Sequence, residues 1–206
     1  EVVIIGGGPS GLLLSQLLNR GGVDTVVLER TSRERVLARV RAGILEDGTV
    51  NLLRHAGVGA RMDSEGLPHD GCFLTDNDLM VRINFHELTG KRVLVYGQTE
   101  VTHDLYDALD ARGTPIIHNV DDVIINGAET NTPYVEYSKD GVRHRIDSRY
   151  VVGCDGFHGV SRRTIPLEKR TEFERIYPFG WLGVLSATPP VSQELIYANS
   201  EHGFAL

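Results

Sequence analysis

Gly6, Gly8 and Gly11 stand in the spacing G-x-G-x-x-G, in the run Gly6-Gly7-Gly8-Pro9-Ser10-Gly11, and a carboxylate, Glu29, follows eighteen residues later. A glycine at position 6 permits a tight turn. One at position 8 lets bare backbone approach a pair of phosphates, and one at position 11 lets a helix lie close on a strand. The first helical turn, entered at Ser10, then offers unpaired N–H groups and the positive end of a helix dipole to those phosphates. Glu29 has the chemistry to accept hydrogen bonds from a ribose diol. Together these residues describe a cradle for a dinucleotide, and the plain alternative is a glycine-rich turn with an incidental Glu. The fingerprint by itself does not distinguish FAD from NAD.

Two further groups of residues have matching chemistry. Arg30, Arg33, Arg35, Arg39 and Arg41 are opposed only by Glu34, so five positive charges less one negative give a local +4 on an acidic chain. Guanidinium forks bind phosphates bidentately and stay charged at any relevant pH. We read this stretch as a basic helix with a phosphate-binding face. For Arg33 a solvated helix face is the better reading; for Arg39 and Arg41, beside Ala42-Gly43-Ile44, we favour a ligand. The run Gly153-Cys154-Asp155-Gly156-Phe157-His158-Gly159 supplies the other group. Asp155 there can accept from a sugar or ribityl hydroxyl while the glycines admit backbone contact, although an Asp-Gly pair is also an ordinary turn.

These groups need elements to hold them. Val2-Val3-Ile4-Ile5 is β-branched throughout and bounded by glycines, as in a parallel strand buried on both faces. Ser10 to Arg20 places Leu13, Leu14, Leu17 and Leu18 on one helical face, and Gly21-Gly22 ends it. Thr25-Val26-Val27-Leu28 completes a right-handed βαβ unit. Tyr150-Val151-Val152 is another buried strand, and it leads into the Asp155 loop. Between them, Leu79 to Phe85 alternates as a half-buried antiparallel strand with Val93-Leu94-Val95-Tyr96 pairing near it. Thr99 to Arg112 is a helix with Val101, Leu105, Ala108 and Leu109 inward, Thr99 as cap and Gly113 as stop. Short strands follow near 116–118, 122–125, 134–138 and 142–146, the last two joined by a Lys139-Asp140-Gly141 turn. After Pro166 the pattern becomes Pro-punctuated, with strands near 180–186 and 194–198.

The 206 residues are 41% hydrophobic and 24% charged, which supports a folded core rather than disorder. The net charge of −7 argues against nucleic acid or an anionic membrane as main partner. No signal peptide or membrane span is visible. Cys72 and Cys154 form no CxxC or zinc pattern and read as two free thiols in a reducing compartment. The eight histidines have no ligand spacing, so no metal is expected. Both chain ends look cut.

Taken in order, four motifs resemble the single-component FAD-dependent aromatic hydroxylases. They are Gly6-x-Gly8-x-x-Gly11 with Glu29, Arg39-x-Arg41-Ala42-Gly43, Tyr96-Gly97-Gln98-Thr99-Glu100 and the Gly153 to Gly159 run. Pro178-Phe179-Gly180-Trp181-Leu182-Gly183 and Glu194-Leu195-Ile196-Tyr197-Ala198-Asn199 narrow this to the branch acting on 4-hydroxybenzoate. The similarity runs through the whole chain, which resembles the N-terminal half of such enzymes.

The resemblance implies an α/β fold: a Rossmann-like, FAD-binding βαβ domain with antiparallel strands over 1–169, whose strands at 71–97 lean toward a β-rich substrate domain begun at 170–206. It implies FAD as cofactor, NADPH as cosubstrate, and O2 with 4-hydroxybenzoate or a close phenolic acid as partners. The product would be 3,4-dihydroxybenzoate, the location cytoplasmic, and a homodimer one option for assembly. Glu29 should meet the adenosine ribose; Arg39, Val40, Arg41, Ala42, Gly43 and Ile44 should line the flavin and its pyrophosphate, with Gln98 on the isoalloxazine side. Asp155 should serve both FAD and NADPH, and Arg30, Arg39 and His158 match NADPH-binding positions. Thr31 and Arg35 depart from well-known relatives, and the added Arg35 favours a 2′-phosphate. Tyr197 matches the Tyr that removes the substrate phenol proton, and His69 the solvent end of that relay. A phenolate raises electron density on the ring carbon that accepts oxygen, and a Tyr shares the substrate's proton affinity. The family's substrate-carboxylate clamp would follow Leu206. The alternatives are another flavin-dependent oxidoreductase of the same fold, or an isolated FAD-binding module without turnover.

Overall fold

The structure is a computed structural model that describes every residue except Leu185. The run of β-branched residues forms β1 (Val2–Ile5), buried along its whole length. The glycine turn leads into α1 (Pro9–Arg20), and the chain returns as β2 (Thr25–Leu28). It continues through α2 (Arg33–Leu37), β3 (Ile44–Glu46), α3 (Asp47–His55), α4 (Ala60–Glu65) and β4 (Leu67–His69). Next come β5 (Gly71–Asp76), β6 (Leu79–Asn84), α5 (Phe85–Thr89), β7 (Val93–Val95) and α6 (Gln98–Ala111). Then follow β8 (Ile116–Ile117), β9 (Asp121–Asn126), β10 (Tyr134–Lys139), β11 (Val142–Asp147) and β12 (Tyr150–Gly153). The last elements are α7 (Ser161–Thr164), a 3-10 turn at Leu167–Lys169, β13 (Leu195–Ser200) and β14 (Gly203–Ala205).

Two compact units result: Glu1–Leu67 with Leu94–Ile165, and Pro68–Val93 with Pro166–Leu206. In the first, a parallel sheet runs in the order β12-β1-β2-β8. Alternation along β1 sends its side chains to opposite faces. Val2 and Ile4 pack with Leu14 and Leu18 of α1, whereas Val3 and Ile5 meet Val120, Val135 and Tyr137 around the antiparallel meander β11-β10-β9. The β10–β11 hairpin turns at Asp140 and Gly141, both with positive φ, the backbone that a two-residue turn demands. A third cluster joins Leu12 of α1 to Leu53, Met62, Leu105, Tyr106 and Leu109 on α3, α4 and α6.

The α1 leucines do not share one face in use. Leu13 and Leu17 pack with the α6 cluster, Leu14 and Leu18 with the sheet, and the most buried row is Gly11, Leu12, Ser15 and Gln16. Ser15 Oγ lies 2.6 Å from Thr25 Oγ1, and Gln16 Nε2 donates to the Ala56 carbonyl at 2.9 Å, so polar side chains survive there by pairing.

Several expectations need correction. The basic stretch is helical only over α2, five residues long, so Arg39 and Arg41 lie in extended chain beyond it. The strand expected through Phe85 stops at Asn84, whose side chain caps α5 by accepting from Glu87 N at 3.1 Å. This strand, β6, is an edge and mostly exposed rather than half-buried. β7 pairs in the order β3-β7-β4, not with β6. Tyr150 is 64% exposed because β12 is an edge strand of the parallel sheet. Gly97, not Thr99, caps α6. No strand forms among the described residues of 180–186; Leu185 lies outside them. Helices α3 and α4 add to the elements expected from the sequence.

The second unit carries the sheet β14-β13-β5-β6, with β13 parallel to β5 and the other pairs antiparallel. Among the described residues no helix is long and apolar enough to cross a membrane.

Candidate functional site

The glycine turn sits at the carboxyl end of β1, where Ile5 is in register with Leu28 of β2 and Gly153 of β12. Cys154 N donates to Ile5 O at 2.7 Å and Gly6 N to Leu28 O at 2.8 Å, so the loops after all three strands are tied at their roots. Gly6 has φ 109, and a side chain there would collide with the Cys154 carbonyl. A Cβ on Gly11 would run into the Gly6 carbonyl, so α1 can lie this close to β1 only with glycine at that position. Gly8 is different: a Cβ would meet nothing within 4 Å. Its lack of a side chain leaves bare backbone beside open space, and α1 begins there with no side-chain cap. The first-turn N–H groups at Ser10 and Gly11 therefore face an approach that an anion fits.

Glu29, 8% exposed, closes this turn from the position just after β2. Its Oε2 accepts from Gly7 N at 2.8 Å, and its Oε1 from Thr31 N at 2.9 Å and Thr31 Oγ1 at 2.8 Å. The carboxylate thus braces the glycine loop, a task that sequence reasoning did not assign to it. Tyr106 of α6 adds to the brace, its hydroxyl donating to Gly7 O at 3.4 Å. Burial, and then the Glu29 carboxylate, push that phenol well above the ordinary tyrosine range, so it stays a donor. Arg33 stacks 4.4 Å over the Tyr106 ring and pairs with Asp107 and Asp110. Its work is packing α2 on α6, more than a solvated face. His118 Nδ1 lies 3.0 Å from Thr31 O and completes the cluster. The bracing roles of Thr31 and Tyr106 are not legible in the sequence; a Thr two residues past the Glu that follows the strand is the available signal.

On the β12 side, Asp155 Oδ2 accepts from Ser161 N at 2.9 Å and Ser161 Oγ at 3.0 Å. Asp155 therefore fixes its own loop and starts α7. His158 is exposed, edge-on to Phe157 at 5.0 Å.

A third wall comes from the segment after α2. Tyr96 N donates to Gly43 O at 2.7 Å, and a Cβ on Gly43 would lie 2.7 Å from Gly97 Cα. Thr99 Oγ1 donates to Arg39 O at 3.3 Å. The structure therefore brings the 39–44 segment against Gln98, the first residue of α6. Tyr96 is anchored through Asp104, which accepts its hydroxyl at 2.7 Å and the Arg61 Nε at 2.7 Å. Arg39, Val40, Arg41 and Ala42 are exposed, as is Arg30, while Gly43 and Ile44 are half-buried. Among the described residues Arg30, Arg39 and Arg41 enter no ion pair, which leaves three cations available to phosphate.

In the second unit, Tyr197 sits on β13 beside Leu74 of β5, its ring 6.3 Å from Phe204. His69 ends β4, with Nδ1 buried and unpartnered. Among the described residues no hydrogen bond joins the two.

A model of the FAD-binding domain family matches residues 1–206. The chain belongs to that family. Its sequence is 47% identical over 207 residues to the p-hydroxybenzoate hydroxylase of Acinetobacter baylyi, covering all of this chain and 51% of that protein. It is 26% identical to a 3-(3-hydroxy-phenyl)propionate/3-hydroxycinnamic acid hydroxylase of Burkholderia vietnamiensis, over 98% of this chain and 32% of that protein. Among solved structures, p-nitrophenol 4-monooxygenase PnpA of Pseudomonas putida superposes with a TM-score of 0.70 at 23% identity, over 80% of this chain and 42% of that one. OxyS anhydrotetracycline hydroxylase of Streptomyces rimosus gives 0.63 at 26%, over 76% and 31%. The chain spans about half the length of the first of these relatives and less of the others. FAD is the cofactor of this family, and the cradle fits it: bare backbone at Gly8, an uncapped helix start, a fixed carboxylate and nearby cations.

Proposed function

We propose that this chain is the FAD-binding part of an aromatic hydroxylase that converts 4-hydroxybenzoate to 3,4-dihydroxybenzoate with NADPH and O2. The observation that carries the reading is the 47% identity to a p-hydroxybenzoate hydroxylase along the whole chain, motifs included. When bound, FAD supplies hydride acceptance from the nicotinamide and oxygen transfer to the ring.

The chain's own residues bind and orient. Gly6, Gly8, Ser10 and Gly11 present backbone to the pyrophosphate, and Glu29, already holding Gly7, offers its remaining lone pairs to the adenosine ribose. Arg39, Val40, Arg41, Ala42, Gly43 and Ile44, together with Gln98, border the flavin. Asp155 holds its loop in place for FAD and NADPH. Arg30, Arg39 and His158 receive the nicotinamide dinucleotide, and Arg35 favours its 2′-phosphate. Tyr197 takes the proton of the substrate phenol, and His69 passes it to water. We assign the protein to the cytoplasm.

The test begins with flavin. The purified chain should be yellow or take up FAD with quenching of flavin fluorescence. A longer polypeptide that includes it should oxidise NADPH faster than NADH when 4-hydroxybenzoate is added, and release 3,4-dihydroxybenzoate. Reduction of flavin without a hydroxylated product would support an oxidoreductase of another type. FAD binding without any turnover in the longer polypeptide would leave only a binding module.

A further inference from the structure

Gln98 and the 39–44 segment, which border the proposed flavin site, are both tied to the backbone that follows β7. Tyr96 N donates to Gly43 O at 2.7 Å, and Thr99 Oγ1 donates to Arg39 O at 3.3 Å. Tyr96 is itself held by a charge network. Its side chain is buried, and its hydroxyl donates to Asp104 Oδ2 at 2.7 Å. Asp104 lies on α6 with its side chain 12% exposed, and its Oδ1 accepts from Arg61 Nε at 2.7 Å. Arg61 comes from α4. It also pairs with Glu65 and Glu100, and its Nη2 donates to the Glu100 carbonyl at 3.2 Å. Its guanidinium carbon lies 5.6 Å from the centre of the Tyr96 ring. The next residue, Met62, is fully buried in the cluster that includes Leu105 and Leu109 of α6, which sets the guanidinium down at a fixed place.

A buried phenol needs one acceptor, and a backbone carbonyl would suffice. Here the acceptor is a carboxylate on one helix, fixed by a guanidinium from another, and bonds to ionised groups are roughly twice as strong as neutral ones. α4, α6 and the residue after β7 therefore meet at one carboxylate. Burial, and then the bond to Asp104, push the Tyr96 phenol above its ordinary range, so it stays a donor. Burial works against the charge of Arg61, but the bonds to Glu100 and Asp104 outweigh it and hold the group above the ordinary arginine range.

We propose that Arg61 and Asp104 are positioning residues for the flavin: through the Tyr96 hydroxyl they fix the backbone at 96–98 and, through it, the 39–44 segment that borders FAD. This rests on the flavin-bordering role given to Gln98 and residues 39–44 above. Neither Arg61 nor Asp104 need touch the cofactor.

The experiment uses the 206-residue chain and two readouts. Amide exchange at Tyr96 N–H is followed by NMR without ligand, and FAD affinity by quenching of flavin fluorescence. Tyr96→Phe keeps the ring and removes the hydroxyl. It should speed exchange of that amide about tenfold, well beyond any change at the β1 amides, and weaken FAD binding roughly fivefold. Arg61→Gln should act in the same direction with a smaller effect, and Arg61→Lys should recover part of the loss. Because Arg61 acts through the hydroxyl, the losses in the Tyr96→Phe/Arg61→Gln double variant should fall short of additive. Exchange at Tyr96 that quickens no more than at β1, fully additive losses, or FAD affinity equal to the parent's would overturn the proposal. If the parent chain itself takes up no FAD, the flavin-bordering reading fails and the proposal with it. If the parent binds FAD and the variants bind it equally well, the proposal alone fails.

Discussion

β1 and β6 are both short and rich in apolar side chains, yet Val3 and Ile4 are 1% and 0% exposed, whereas Leu79, Met80 and Val81 are 63%, 59% and 47% exposed. Position explains the difference. β1 lies between two parallel neighbours with α1 on one face and the meander on the other. β6 is the edge of a sheet whose unit contributes, among the described residues, one residue, Cys72, to the buried apolar set. The second unit also shows Phe173, Trp181 and Leu182 at 90%, 76% and 89% exposure. The dinucleotide cradle thus rests on a core completed by the first unit's own residues, while no such buried cluster forms among the described residues around β13, which bears Tyr197.

Changes in the first unit should therefore be costly and changes in the second cheap. The largest effect should come from Gly11→Val, which drives a β-branched side chain into the Gly6 carbonyl. It should abolish FAD uptake and destabilise the chain by about 3 kcal/mol, measured by flavin titration and urea unfolding. Retained FAD binding would mean that the close approach of α1 to β1 is not what shapes the cradle. Next is Glu29→Ala, which leaves the Gly7 N–H buried and unpaired. Loss of a charged acceptor costs about 2 kcal/mol, and FAD affinity should fall roughly thirtyfold. An unchanged affinity would remove Glu29 from the site. The smallest effect should come from Trp181→Ser, which should alter thermal unfolding of the 206-residue chain by no more than about 0.5 kcal/mol. A much larger loss would show that this face is packed in solution and would break the contrast between the units.

The first unit was also the part most readable in the sequence. Val2 to Ile5 and Thr25 to Leu28 are buried on both faces and so carry continuous apolar runs, and the glycine spacing announces the turn between strand and helix. The Asp140-Gly141 hairpin was equally plain, because few residues tolerate two successive positive φ angles. α3 and α4 were not read because they are short, and their buried residues, Val50, Leu53 and Met62, are too few to set up a period. β6 was misread for another reason. Alternation reports that a strand has two unlike faces, not that anything covers the apolar one. The basic stretch was overextended as a helix because charge is silent about backbone: α2 ends after Leu37, and Gly43 must instead meet the Gly97 backbone.

By itself, the sequence determined the βαβ unit, the glycine cradle and the residue types that surround it, since each is dictated by interactions between near neighbours along the chain. Only the tertiary structure decided what those residues hold. Glu29 fastens Gly7, Asp155 fastens Ser161, Tyr106 reaches Gly7 from 99 residues away, and Arg82 occupies Glu194 from 112 residues away. A hydrogen bond depends on position to within a fraction of an ångström, and for partners this distant in sequence that position is set by the packing of strands and helices rather than by spacing along the chain.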